Sequence, residues 1–124
     1  MAGPRQLKGR HVSKYGNRRI DADGHTFDSR AEYAYYLYLR ALEQQGDITD
    51  LRVHPRYEVV PAFVHGGRKV RAVTYTPDFT YRDDAGQLVV VDVKGGKATQ
   101  TAVWRLKWTL LKRLLPAAAF EVVE

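Results

Sequence analysis

The sequence predicts an α/β domain in which a central mixed β-sheet is flanked by two main helices. Three observations lead there. A long amphipathic helical segment precedes a run of short strand-like segments, after which a second helical segment and a last strand end the chain; that order suits helices covering a sheet. Val89-Val90-Val91 is a continuous apolar run, as expected of a strand buried on both faces. The chain has 124 residues and no cysteine, enough for one core without disulfides or cysteine-ligated zinc.

Taken in order, Arg19–Ala22 and His25–Phe27 flank a turn at Asp23-Gly24 and predict a short hairpin. The first helix is expected from Ser29 to Gln45, with Gly46 as its left-handed C-cap. Its apolar positions Ala31, Ala34, Tyr35, Tyr38, Leu39 and Leu42 recur at three- and four-residue steps, which puts Tyr33 and Tyr36 on the polar side. Strands follow at Asp50–His54, Tyr57–Phe63 and Lys69–Tyr75, with Gly66-Gly67 turning the second into the third. Two more are expected at Pro77–Tyr81 and Gln87–Lys94. After Gly95-Gly96 a second helix spans Thr101 to Leu115, stopped by Pro116. Val103, Leu106, Leu110, Leu111 and Leu114 would form its apolar side, and Ala119–Val123 is the last strand. Trp104 and Trp108 on a basic helix suit a membrane surface, but the sheet needs this helix as a cover.

Charge divides the chain. The net charge is +6, and six of the 20 basic residues (Arg5, Lys8, Arg10, Lys14, Arg18 and Arg19) lie in the first 19 positions, which hold no acidic residue. The remaining 14 basic residues balance the 14 acidic ones. Residues 1–18 therefore read as a basic arm suited to a polyanion, and 19–124 as a single neutral domain. A solubilising tail is the plainer reading of such an arm. No apolar run approaches the ~18 residues of a membrane span, so a soluble, cytoplasmic protein is expected.

The turn at Asp84-Ala85-Gly86 carries the chemistry. A three-residue loop with Gly86 at positive φ pairs Asp83 with Gln87, and the same register sets Asp78 opposite Asp92. Lys94 shares the face of Asp92. Two such carboxylates repel each other, and a divalent cation resolves the conflict. Such an ion polarises a phosphate and acidifies a bound water, while Lys94 orients that water or offsets charge on the phosphate. A salt bridge between Asp92 and Lys94, with Asp78 as a turn residue after Pro77, is the competing reading. Glu32 is open between a third carboxylate of the site and the last member of a capping box begun by Ser29.

Thr76-Pro77-Asp78-Phe79 and Val91-Asp92-Val93-Lys94-Gly95 resemble the two halves of the PD-(D/E)xK nuclease signature. Phe27 to Val123 is similar to that superfamily, and most similar to a phage group related to archaeal-type Holliday junction resolvases. The resemblance implies a restriction-endonuclease-like fold. It makes Glu32, Asp78 and Asp92 ligands of Mg2+, with Mn2+ as a substitute, and Lys94 the residue that positions water. Asp92 stands where many relatives have glutamate. The resemblance further implies a homodimer, a four-way DNA junction as substrate and, for a phage-encoded protein, the host-cell cytoplasm.

Together these readings describe a metal-dependent, structure-selective DNA endonuclease without a small-molecule cofactor. The expected DNA contacts are Arg5, Lys8, Arg10, Lys14, Arg18 and Arg19 on the arm and Lys107 on the second helix. A nicking or restriction-type endonuclease and a catalytically inactive DNA-binding module are the alternatives. Tyr33 and Tyr36 are read as surface tyrosines, available for a dimer contact or for stacking on bases. His11, His25, His54 and His65 show no metal-ligand spacing and receive no role.

Overall fold

A computed structural model describes residues 19–95 and 99–124. Arg5, Lys8, Arg10, Lys14 and Arg18 of the expected arm lie outside the described residues, as does Gly96; Arg19 is exposed at the start of the first strand.

A hairpin of β1 (Ile20–Ala22) and β2 (His25–Phe27) leads into α1 (Arg30–Gln45). Ser29 caps α1, its Oγ accepting the Glu32 amide at 3.1 Å, and Gly46 ends it at φ 85°. Next come β3 (Thr49–Val53), β4 (Tyr57–Val60), β5 (Phe63–His65), β6 (Arg68–Val70), β7 (Val73–Tyr75), β8 (Phe79–Arg82) and β9 (Leu88–Val93). α2 (Ala102–Leu114), capped by Thr101, and β10 (Ala119–Val123) complete the chain.

The central sheet has the order β10-β9-β8-β3, with β10 parallel to β9 and the other neighbours antiparallel. The β8–β9 register is the expected one: Phe79 pairs Val91 and Arg82 pairs Leu88, while the Asp83 amide donates to Gln87 and Gly86 has φ 80°. Alternation along β9 divides the core. Val89 and Val91 pack with Phe27, Tyr36, Leu39 and Phe79 on the α1 side, and Val90 packs with Trp104, Trp108 and Leu111 on the α2 side. One helix therefore covers each face, and the Val89–Val91 run is buried on both.

Three expectations need correction. The strand segments Tyr57–Phe63 and Lys69–Tyr75 are each interrupted. Pro61, which has no amide hydrogen, separates β4 from β5, and the β4–β7 register slips between Glu58 and Val60. The four pieces form one long, bent ribbon whose tip is turned by Gly66-Gly67.

α1 is rotated by about a quarter turn from its apolar periodicity. Tyr36 is buried with Glu32 and Leu39, Tyr33 packs beside it, and Ala31, Ala34 and Tyr38 face outwards. Two aromatic contacts reward the rotation, Tyr36 stacked on Phe79 and tilted against Phe27, while the Tyr36 hydroxyl donates to Asp23 at 2.7 Å. Neither tyrosine is therefore a free surface ring.

α2 turns Trp104 and Trp108 to the sheet and leaves Val103, Leu106 and Leu114 exposed. Trp104 and Trp108, one helical turn apart, stack on each other and join Val59, Val90 and Leu111 in the core on this face. Among the described residues no helix is long and apolar enough to cross a membrane.

Candidate metal centre

Asp78 is the residue on which the site is built. It sits one position before β8, at a bend following the buried Pro77, between two neighbouring strand ends. On one side the Asp78 amide donates to Asp92 Oδ1 at 2.9 Å and Asp78 Oδ2 accepts the Val93 amide at 2.7 Å. On the other side the His54 amide donates to the Asp78 carbonyl at 2.9 Å, continuing the β3–β8 pairing in which Val53 faces Phe79. His54, Asp78 and Asp92 thus form a row across three strand ends.

Their side chains do not all converge. Ligand atoms of Glu32, His54 and Asp78 lie within 4.8 Å of one another and form a potential metal-holding set among the described residues. Asp92 stands outside that set. Its parity along β9 puts its side chain on the α2 face, where its carboxylate accepts from Tyr75 Oη and, at 2.7 Å, from Trp104 Nε1. The bend at Asp78 takes its carboxyl out of the regular pleat, so the expected meeting of two carboxylates on one face becomes an interlock. Asp78 joins Glu32, and Asp92 holds the backbone of Asp78.

Glu32 braces the start of α1, though through the Asp28 amide instead of the N-cap amide of the expected capping box, and it also reaches the candidate site. Its Oε1 accepts the Asp28 amide at 2.7 Å, one residue before the N-cap, and its Oε2 lies 3.0 Å from His54 Nε2. The cap thus orients a carboxylate that is only 3% exposed, and its second oxygen faces the site.

His54 was missed in the sequence because its relation to Asp78 depends on β3 pairing with β8, across the long β4–β7 ribbon. A weak local sign was its position at the end of a strand. Its backbone is left-handed at φ 54°, a conformation unfavourable for a residue with a Cβ and found preferentially at functional sites. The other described histidines lie elsewhere: His25 packs near Phe27 and Tyr36, and His65 is exposed in β5.

Burial, a hydrogen bond to Glu32 and the charge of Glu32 push the Asp78 carboxyl up to about 8, against the lesser lowering effects of the Val93 amide and Lys94. Burial also raises Asp92, although the Trp104 N–H, the Asp78 amide and Lys94 favour its ionised form. Lys94 Nζ lies 3.8 Å from Asp92 Oδ2 and 4.9 Å from the centre of the Trp104 ring. The ion pair of the plainer reading is therefore present as well.

Glu32, Asp78 and Lys94 open onto a cleft of about 480 Å3, which is also lined by Asp28 to Ala31 at the start of α1, Val93, Gly95 and Thr99. The positive end of the α1 dipole faces this space and favours an anion there. Lys107 is half-buried on α2 and is not among the residues lining the cleft.

Two carboxylates and an imidazole nitrogen are a donor set that suits a divalent cation. The close approach of the Glu32 and Asp78 carboxyls is an electrostatic conflict that such an ion would relieve, so the residues fit. No curated protein and no solved structure matches the chain. Residues 12–114 match the protein family of unknown function DUF1064, and the chain belongs to that family.

Proposed function

We propose that this protein is a metal-dependent DNA endonuclease of the PD-(D/E)xK kind, with four-way junctions as its preferred substrate. The observation that carries the reading is the Glu32–His54–Asp78 donor set at a cleft that also receives Lys94 and the N-terminus of α1. Glu32, Asp78 and His54 would hold the cation. The imidazole adds a nitrogen donor that Mn2+ accepts more readily than Mg2+. When bound, the ion would polarise a phosphodiester and lower the pKa of water.

The chain's own residues supply the rest. Lys94 holds a positive charge at the cleft, where it offsets charge gathering on the phosphate and orients the attacking water. The first turn of α1 attracts the phosphate by its dipole. Asp92 keeps Lys94 and the Asp78 backbone in place and is a positioning residue. Asp92→Asn keeps only one of the two acceptor oxygens that hold the Asp78 amide and Trp104 Nε1. Because Asp92 lies outside the donor set, the variant should leave Mn2+ affinity within a few-fold of wild type, measured by calorimetry. Cleavage should fall by about 10- to 100-fold, the range associated with residues supporting a metal ligand. Loss of Mn2+ binding in this variant would make Asp92 a ligand instead.

A panel of linear, nicked and four-way-junction DNAs with Mg2+ or Mn2+ tests the function. Junction cleavage that EDTA abolishes is expected, together with a dimer in sedimentation, since two symmetric cuts call for two active sites. Equal cleavage of linear duplex would favour a nicking or restriction enzyme. The withdrawal of Asp92 from the donor set favours a second reading, a DNA-binding domain without cleavage. Binding that never leads to cutting with either metal would establish that reading.

A further inference from the structure

The acidic and basic residues beyond the N-terminal segment balance in number, but three of the basic ones stand together on a stretch that holds no acidic residue. β4 and β7 leave the metal centre as the two rails of one ribbon. Tyr57 starts β4 three residues after His54, and Tyr75 ends β7 three residues before Asp78. The root of the ribbon is anchored, because Val59 is buried among Trp104, Trp108 and Leu111, with Tyr57 and Tyr75 packed beside them. Beyond Pro61 the ribbon continues as β5 and β6, and every residue from Pro61 to Arg71 is exposed.

This exposed tip carries Arg68, Lys69 and Arg71, and no acidic residue occurs between Glu58 and Asp78. Among the described residues none of the three cations forms an ion pair. The pairing of Phe63 with Val70 and of His65 with Arg68 puts these four on one face; Val64 and Lys69 share the other. Each face therefore sets a cation beside an apolar side chain, and Val64 is 66% exposed. An isolated two-stranded hairpin is marginal in water, and unpaired like charges add repulsion. A polyanion lying against the tip would remove that repulsion.

We infer that the β5–β6 tip is a second nucleic-acid contact, a ribbon that follows a groove of the duplex while the scissile phosphate sits at the cleft. The major groove of B-DNA admits a two-stranded β-ribbon. The nine residues from Tyr57 to His65 reach at most about 30 Å at ~3.3 Å per residue, close to one turn of duplex. Phosphates near both ends of the ribbon therefore belong to the same helical turn. The inference rests on the proposal that the substrate is DNA.

The test is fluorescence anisotropy of the full chain with a labelled linear duplex and a four-way junction, in EDTA and over a range of salt. The triple variant Arg68→Ala, Lys69→Ala, Arg71→Ala should bind about tenfold or more weakly. Its log affinity against log salt should be flatter by about 0.9 for each phosphate that is no longer neutralised. A charge-preserving triple (Arg68→Lys, Lys69→Arg, Arg71→Lys) should bind like wild type, and Mn2+ affinity should be unchanged in both. Wild-type affinity and salt slope in the alanine variant would overturn the inference and leave the DNA reading standing. If the wild-type chain bound neither DNA, both would fall. Unchanged DNA binding with loss of the dimer in sedimentation would make the tip an interface between copies of the chain and overturn the inference.

Discussion

Asp78→Asn should reduce metal-dependent DNA cleavage by about a thousandfold or more, since it weakens the ion that would stabilise the charge developing on the phosphate. The substitution is mild for the fold. Its amide oxygen still accepts the Val93 amide, as Asp78 Oδ2 does at 2.7 Å, and its NH2 can donate towards Glu32. Calorimetric titration with Mn2+ should show affinity falling with the activity, while junction binding in EDTA persists. Full cleavage by Asp78→Asn would remove the metal centre from the mechanism altogether. His54→Ala distinguishes the donor set from a pair of carboxylates, because it should weaken Mn2+ binding more than Mg2+ binding. Equal effects on the two ions would reduce His54 to a hydrogen-bond partner of Glu32.

The metal-free protein should lose stability as pH rises from 5 towards 8. The Asp78 carboxyl titrates at about 8 in the folded chain against 3.8 ordinarily. Between those values the folded state keeps a proton that the unfolded chain has released, so raising the pH favours unfolding. The stabilising effect is complete below the ordinary value and gone once the pH passes the folded one. Asp78→Asn has no such proton and should show a smaller decline over this window. Saturating Mn2+ should flatten the wild-type profile, because the cation takes the place of the proton and binds only the folded chain. Thermal melts of the two proteins with and without Mn2+ check this. Parallel wild-type and Asp78→Asn profiles would mean that Asp78 ionises normally in the folded chain.

Much of the local structure was legible in the residues. Ser29 and Gly46 act where helix-capping chemistry puts them, and the Asp84-Ala85-Gly86 loop sets the register of β8 against β9. Glu32, Asp78 and Lys94 could be named as candidate site residues because each lies in a short pattern with recognisable chemistry, and all three line the cleft. His54 could not be named, because its meaning comes from a strand partner 24 positions away. Tyr36 was misplaced because the sheet, and not the helix alone, determines which face of α1 is buried.

The sequence by itself determined the caps, the tight turn and the doubly buried Val89–Val91 strand, since their geometry depends on torsions and contacts within a few residues. Only the tertiary structure decided that Asp92 turns to Trp104 while Asp78 meets Glu32 and His54, and that the charges of the β5–β6 tip stand apart. Those outcomes depend on which faces pack together and how much apolar area each arrangement buries, quantities that no short stretch of chain contains.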